Sequence, residues 1–428
     1  MAAEVLVAGG GVGGLVLARR LALSGRQVVV FEGSDRFGGQ VSRQTVAGVD
    51  LDAAAESFAV RGGTVAALLA ELGMQGDIVA PLDAPAWLHR SDGSSVALPA
   101  TGVLGIPGDP GADDVVRAIG LDAARRAQRD AELPASVGAD AATIGELVRL
   151  RMGDGVVDGL VAPVVRGVHS TEPDQLLIDA ASPRLREELR AAGSLAAAVR
   201  RLRAAAPAGS QVAGIRGGMF RLVDALVAEC ERLGVRLQTG APATDLTPHA
   251  LTAGGRRVRG QVVRAAAAPG AAPGRRVTLA TLVVEASAFD HAPRGTGVLV
   301  AADAPGVTAR ALTHLSAKWE WVADLLPGLH AVRLSYDGER ADAVERAMTD
   351  APALLGAPIE RVVDTSSAVW QRRPAGAWPA MAEPAVGEGP AGTGLASVVA
   401  QAERVAAALV AEVGEDSTVD GPRGRMEG

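Results

Sequence analysis

Residues 5–39 constrain this chain more than any other stretch. Val5-Leu6-Val7-Ala8 is an apolar strand pattern, Gly9-Gly10-Gly11-Val12-Gly13-Gly14 is a turn, and the run to Ser24 has helical spacing. A second apolar run, 27–31, ends on Glu32, and Gly38-Gly39 follow. Strand, glycine turn, helix, strand and acidic residue, in that order, is an arrangement that holds a dinucleotide. Gly9 permits the tight turn, Gly11 lets the backbone approach a pyrophosphate, and Gly14 lets helix and strand pack closely. Val12 and Gly13 open the helix, whose free N–H groups and partial positive charge face the phosphates. Glu32, roughly 20 residues on, can bond ribose hydroxyls; a carboxylate there, not an arginine, favours FAD or NAD over NADP. The competing reading is a plain glycine turn, since the chain holds 53 glycines. The flanking strands and Glu32 weigh against it.

Composition removes several function classes. The net charge is −7 with no basic block, so nucleic-acid binding has no electrostatic footprint. The 428 residues suffice for two or three domains. Cys230 is the only cysteine, which excludes an intrachain disulfide and fits a reducing cytoplasm. It shares a helical stripe with Val223, Leu226, Val227 and Leu233 and is expected to be a buried small hydrophobe. Lys318 is the only lysine, and arginine carries nearly all the positive charge. The apolar N-terminus is short and broken by glycines, so it reads as a strand and turn, not a signal peptide or membrane span. No paired carboxylates, Ser-His-Asp set or metal-spaced Cys/His cluster stands out, and the six histidines are scattered.

After the first α/β unit, residues 53–206 read as mostly helical, with Thr143-Ile144-Gly145-Glu146 as a capping box. Residues 212–246 return to α/β character: Gly217-Gly218 precede an amphipathic helix over 220–233, and a strand follows at 235–238. A strand-like segment at 277–284 closes this part and leads into a second sheet-rich region with segments at 310–321 and 331–336. Residues 265–273 are low-complexity and expected to loop, 396–413 are a helix, and the polar tail from 415 is expected to fray. The dinucleotide fold is therefore expected to be interrupted by inserted segments.

The motifs together resemble the flavin-dependent amine oxidase superfamily, and within it the oxygen-dependent porphyrinogen oxidases of haem biosynthesis, of actinobacterial type. Glu32-Gly33-Ser34-Asp35-Arg36-Phe37-Gly38-Gly39 is similar to that family's Glu-x-x-x-Arg-x-Gly-Gly segment. Residues 48–58, Pro163 to His169, Ile215 to Met219, Pro293 to Leu299 and Ala317-Lys318-Trp319 resemble its later segments in the right order. Val386-Gly387-Glu388-Gly389 and Ala391-Gly392-Thr393-Gly394-Leu395 resemble the closing flavin motif, with Gly387-Glu388 expected to end a short apolar strand. The resemblance implies an α/β fold: an FAD-binding Rossmann-like domain from discontinuous segments, a helical inserted domain and a mixed-sheet substrate domain. The expected boundaries are 1–60, 207–285 and 371–428 for FAD, 61–206 for the helical insert and 286–370 for the substrate sheet. Gly217, Gly218, Ala243, Gly387, Glu388, Gly392, Thr393, Gly394 and Leu395 join Arg36 and the first-unit residues as the expected FAD contacts. Two departures bear on cofactor affinity: shortening between 263 and 277, with Arg264 inside an apolar strand, and abbreviation over 382–386.

The resemblance implies FAD-dependent oxidation of a porphyrinogen by O2 with release of H2O2, coproporphyrinogen III ahead of protoporphyrinogen IX. No side chain is assigned as catalytic, because the flavin carries the hydride chemistry. Arg61 is the expected propionate anchor, since a guanidinium binds a carboxylate bidentately; a surface arginine is the alternative. Arg166 and Gly167 form a second candidate, against a tight turn, and Val298 and Leu299 are slot-lining candidates, against core packing. The resemblance leaves room for peripheral contact with the inner face of the membrane and transient contact with a ferrochelatase. Two other readings stay open: another amine oxidase or desaturase, or a flavin-binding protein without turnover. An amine oxidase would want an aromatic cage, which one tyrosine, Tyr336, makes hard to build.

Overall fold

The computed structural model describes residues 4–169, 171–205, 211–265, 274–372 and 384–416. The expected loop after Ala265, the start of the abbreviated stretch at 382–383 and the polar tail from 417 lie outside them.

Val5–Ala8 forms the inner strand of a four-stranded parallel sheet, flanked by Val28–Phe31 on one side and Gln261–Arg264 on the other, with Arg236–Gln238 outermost. Parallel strands covered on both faces need apolar side chains in both directions. That is why Val5, Leu6 and Val7 run without alternation and are all fully buried. The helix Val12–Leu23 covers one face. Its Leu15, Val16 and Leu21 share a core with Leu222, Leu226 and Cys230 of the helix Phe220–Arg232 and with Val399 and Ala402 of the C-terminal helix Leu395–Asp416. A three-stranded antiparallel sheet over residues 243–259 covers the other face, with Leu251 packed on Leu6, Val29 and Val262. Arg264 is buried at the end of its strand, where its N–H donates to Pro384 O (2.9 Å) and its carbonyl accepts from Val386 N (2.8 Å). The C-terminal segment thus adds beside that strand in parallel at Ala385. The arginine noted as a departure is accommodated in a paired strand.

A seven-stranded mixed sheet makes the second unit. Its order is Arg361–Arg372, Arg275–Glu285, His330–Asp337, Ala311–His314, Gly297–Val300, Ala86–His89 and Ser95–Ala97. Two segments differ from the sequence-based grouping. Arg275–Glu285, expected with the dinucleotide unit, pairs along its length with Arg361–Arg372 and His330–Asp337. Residues 86–97, expected within a helical insert, join the far end of this sheet through a parallel pairing with Gly297–Val300. Strands of three or four residues are too short for a period of two to stand out against a helical background. Alternation orients the sheet: Ala280, Leu282, Val284, Val298, Val300, Leu312, Val332, Leu334 and Tyr336 face the helix Ala343–Leu355. Thr281, Arg333 and Leu299 point the other way, toward the flavin-side unit and the helical segment.

Residues 113–204 are the expected helices, packed around Ile144, Leu147, Val148, Met152, Leu195 and Val199. Thr143 caps Ile144–Met152 by accepting the Glu146 N–H at 3.2 Å. The reciprocal Glu146 bond goes one residue further back, to the Ala142 N–H at 2.8 Å. Arg151 is wholly buried and ties this region together, bonding Asp130 Oδ1 at 2.5 Å and the carbonyls of Pro134, Val137 and Gly193.

Candidate functional site

The glycine turn is built for a phosphate. Gly9 takes φ 123°, and its N–H donates to Phe31 O at 2.8 Å, so the chain leaves one strand beside the end of the next. Gly11 caps the helix Val12–Leu23; no side chain bonds that N-terminus and no acidic residue lies in its first turn. Its N–H groups therefore await an acceptor. A Cβ on Gly14 would overlap the Gly9 carbonyl oxygen, whereas one on Gly11 meets nothing within 4 Å. Close packing at Gly14 and open ground at Gly11 are the two features a pyrophosphate cradle requires. Gly13 is backed by Val398 and Gly387, whose atoms would stand 3.0 and 3.3 Å from an added Cβ.

Glu32 stands at one end of this cradle. Its Oε2 accepts from Gly10 N (2.7 Å), and its Oε1 from Ser34 N (2.8 Å) and Ser34 Oγ (2.9 Å), which leaves an Oε2 lone pair for a ribose hydroxyl. Ala243 opens the strand Ala243–Thr247 close by, since Ala241 N donates to Glu32 O at 2.8 Å. Gly38 pairs with Gly11 in a short bridge at φ 98°, and a Cβ there would stand 2.5 Å from Val41 O. Gly39 lies against Gly11, while Arg36 folds back to bond Gly39 O at 2.9 Å.

Glu388 does not end a strand, as the sequence suggested; it begins a four-residue helix, Glu388–Ala391, and accepts from Gln40 Nε2 at 3.0 Å. Gly392 and Gly394, at φ 83° and 102°, flank Thr393 and lead into Leu395. The segments 9–14, 36–40 and 387–395 thus converge, and their donors and open ground fit an FAD. Gly217 and Gly218 turn into the helix Phe220–Arg232, but its first N–H groups are already taken. Asp52 accepts from Met219 N (3.0 Å) and Phe220 N (3.2 Å). The helix supports the site from behind, with Val223 packed under Gly38.

A charged seam missed by sequence reasoning joins this unit to the seven-stranded sheet. Glu56 bonds Lys318 Nζ at 2.5 Å and Arg333 Nη1 at 3.2 Å. Arg333 also donates to Ala54 O at 3.0 Å and to Asp52 O. Burial pushes the Asp52 carboxyl up to about 7, against the Met219 N–H and Arg333, which favour the charged form. Burial also pushes Glu56 up, but Lys318 and Arg333 outweigh it and hold it below the usual carboxylate range. Asp52 and Glu56, four residues apart in the mostly apolar 51–60 stretch, were the available signal.

The substrate candidates scatter more. Arg61 is exposed in the turn before the helix Thr64–Glu71 and has no partner among the described residues. That turn touches the start of the C-terminal helix, since Thr64 Oγ1 donates to Ala396 O at 3.3 Å. Arg166 donates to Glu172 Oε2 at 2.7 Å. A Cβ on Gly167 would collide with Leu299 Cδ2, so this glycine lets the helical segment close onto the sheet. Val298 is 1 % exposed and packs under the helix Ala343–Leu355, on the opposite face from Gly167. Alternation points Leu299 toward Gly167 and the helical segment. Tyr336 is buried in that same core and bonds Asp350 Oδ2 at 3.3 Å, away from any cage. The described residues hold no cluster of three or more metal-binding side chains and no helix long and apolar enough to cross a membrane.

Known proteins match this geometry. The family described as flavin containing amine oxidoreductase matches residues 12–284. Coproporphyrinogen III oxidase of Mycobacterium tuberculosis is 33% identical over 341 residues, 73% of each chain. The protein of that name from Propionibacterium freudenreichii is 28% identical over 72% of this chain and 69% of its own. A crystal structure from Exiguobacterium, provisionally assigned as a protoporphyrinogen oxidase, superposes with TM-score 0.81 at 19% identity, covering 96% of this chain and 99% of that one. A putrescine oxidase superposes with TM-score 0.64 at 16% identity, covering 96% and 99%. The uncapped glycine turn, Glu32 and the returning C-terminal segment therefore have a shared origin: this chain belongs to the flavin-containing amine oxidoreductases, and it is an FAD-dependent oxidoreductase.

Proposed function

We propose that this chain oxidises coproporphyrinogen III to coproporphyrin III, passing six electrons and six protons to three O2 to give three H2O2. The observation that carries this reading is the likeness to proteins named coproporphyrinogen III oxidase over 73% of both chains. Bound FAD supplies the hydride acceptor at N5. The N–H groups of Val12, Gly13 and Gly14 hold its pyrophosphate, Glu32 its adenosine ribose, and Glu388 its ribityl chain. Leu395 begins the helix whose N-terminus favours negative charge on the reduced ring. Arg61 binds a propionate at the mouth. In this reading the flavin unit comprises residues 4–60, 211–264 and 384–416, and the substrate sheet takes in 86–97 and 275–285.

The buried position of Tyr336 speaks against an amine oxidase cage, and the paired state of Arg264 speaks against a protein that has lost its cofactor. The test is to incubate purified protein with coproporphyrinogen III and protoporphyrinogen IX separately in air and follow porphyrin fluorescence. Faster reaction of the first supports the proposal, and faster reaction of the second moves the substrate. Rates equal to the blanks, or a protein that gains no colour with FAD, sink it. Arg61→Ala is expected to raise KM about tenfold while leaving flavin content unchanged; loss of flavin would make Arg61 part of the scaffold. Peripheral membrane contact and docking of a ferrochelatase are compatible with this reading and follow from vesicle and pull-down binding.

A further inference from the structure

At the rim where the helical segment meets the sheet, three arginines surround one carboxylate. Arg166 Nε bonds Glu172 Oε2 at 2.7 Å, while Arg310 Nη2 and Arg275 Nη1 stand 3.6 and 3.9 Å from its Oε1. Asp337 pairs with Arg310 and, at 2.8 Å, with Arg275. These five groups carry three positive charges and two negative ones. Arg310 is the most enclosed, with its side chain 14% exposed, and its Nη1 is buried without an acceptor. A separation of 3.6 Å is an ion pair and not a hydrogen bond. Glu172 therefore satisfies Arg166 but leaves donors on Arg310 unfilled.

The place matters as much as the charge. Arg310 directly precedes the strand Ala311–His314, and Ala311 lies under Gly167 beside Leu299. The cluster therefore flanks the sheet face that carries Leu299 and Ala311, beside the apolar contact that Gly167 makes.

We infer that Arg310, with Arg166 and Arg275, receives a carboxylate arm of the substrate, and that Glu172 is a resident competitor which the incoming carboxylate displaces. This rests on the porphyrinogen reading and deepens it by naming a second anchor remote from Arg61 in sequence. With Arg310 Nε held by Asp337, an incoming carboxylate would take Nη2, now 3.6 Å from Glu172, together with the unpartnered Nη1, a bidentate grip that Glu172, engaged by Arg166, does not supply. Arg310 and Glu172 become specificity-determining residues: they select for acid arms over neutral ones.

The test uses FAD-loaded protein titrated with coproporphyrin III and with its tetramethyl ester, read by porphyrin fluorescence. Turnover of the two porphyrinogens is measured beside it. Arg310→Gln is expected to weaken binding of the acid about tenfold and leave the ester unchanged. Glu172→Gln is expected to tighten the acid roughly threefold, again with the ester unchanged, and to lower KM without changing kcat. Arg310→Lys keeps the charge but not the fork and should fall between wild type and Arg310→Gln; it also serves if Arg310→Gln fails to load flavin. Normal wild-type turnover with acid and ester shifted equally, or with neither shifted, overturns this inference alone. A wild-type protein that neither binds coproporphyrin nor oxidises the porphyrinogen overturns the functional reading and this inference with it.

Discussion

The glycine turn and the charged seam hold two neighbouring parts of the molecule by opposite means. At the turn, backbone atoms do the work: Gly9 O receives the close approach of Gly14, Gly38 pairs with Gly11, and the first N–H groups of the helix have no side-chain acceptor. At the seam, the side chains of Glu56, Lys318 and Arg333, with the Asp52 carbonyl, join segments 262 to 281 residues apart. A backbone site tolerates almost no added atom, while a side-chain site tolerates shape but not loss of charge balance. The two should therefore fail differently.

The largest effect is expected at the turn. Gly14→Val pushes a branched side chain into the Gly9 carbonyl and should cost roughly 3 kcal/mol or more, with loss of bound flavin. Visible absorbance per polypeptide checks it, and retained flavin would break the contrast. Next comes the seam. Arg333→Met leaves the Ala54 carbonyl without a donor, leaves the Asp52 carbonyl with Gln44 Nε2 alone and Glu56 with Lys318 alone, and should cost about 2–3 kcal/mol in thermal unfolding. A loss under about 1 kcal/mol would mean that the seam is no firmer than an exposed ion pair.

The pH response is subtler. Asp52 is raised to about 7, so its contribution is full below its unfolded value and is lost as pH rises through 7. Burial depresses His314 to about 4, so the stability it contributes is lost as pH falls from its unfolded value toward 4. Over the range between, the two slopes oppose one another, each at most about 1.4 kcal/mol per pH unit. Asp52→Asn should therefore uncover a Tm that climbs with pH from about 4.5 to 6.5. A variant profile parallel to wild type would place the titration elsewhere. The smallest effect is at Cys230, buried behind the turn with its thiol pushed up to about 12. Native protein should not react measurably with a thiol-directed disulfide reagent until it unfolds.

The same contrast explains what could be read from the sequence. Gly9 to Gly14 and Glu32 announce themselves because a turn, a helix start and a ribose contact all lie within one short window. Gly38, Gly387 and Gly394 were legible as parts of ordered motifs. Lys318 was singled out but left without a partner, and Arg333 was passed over, because neither Glu56 nor Asp52 is near them in the chain. Val298 and Leu299 differ only in the phase of one short strand, which is set by the helix Ala343–Leu355 and not by local pattern. Glu388 was placed at a strand end, but its neighbour Ala385 makes a single bridge before the chain turns.

Lys318 has a practical consequence. It is the only side-chain amine in the protein, and it sits with Glu56 where the two halves meet. An acylating reagent aimed at amines then has one internal target, 20% exposed and ion-paired to Glu56 across the two halves. Its labelling rate becomes a clock for their separation, requiring no introduced probe, and can be read with and without cofactor by mass alone.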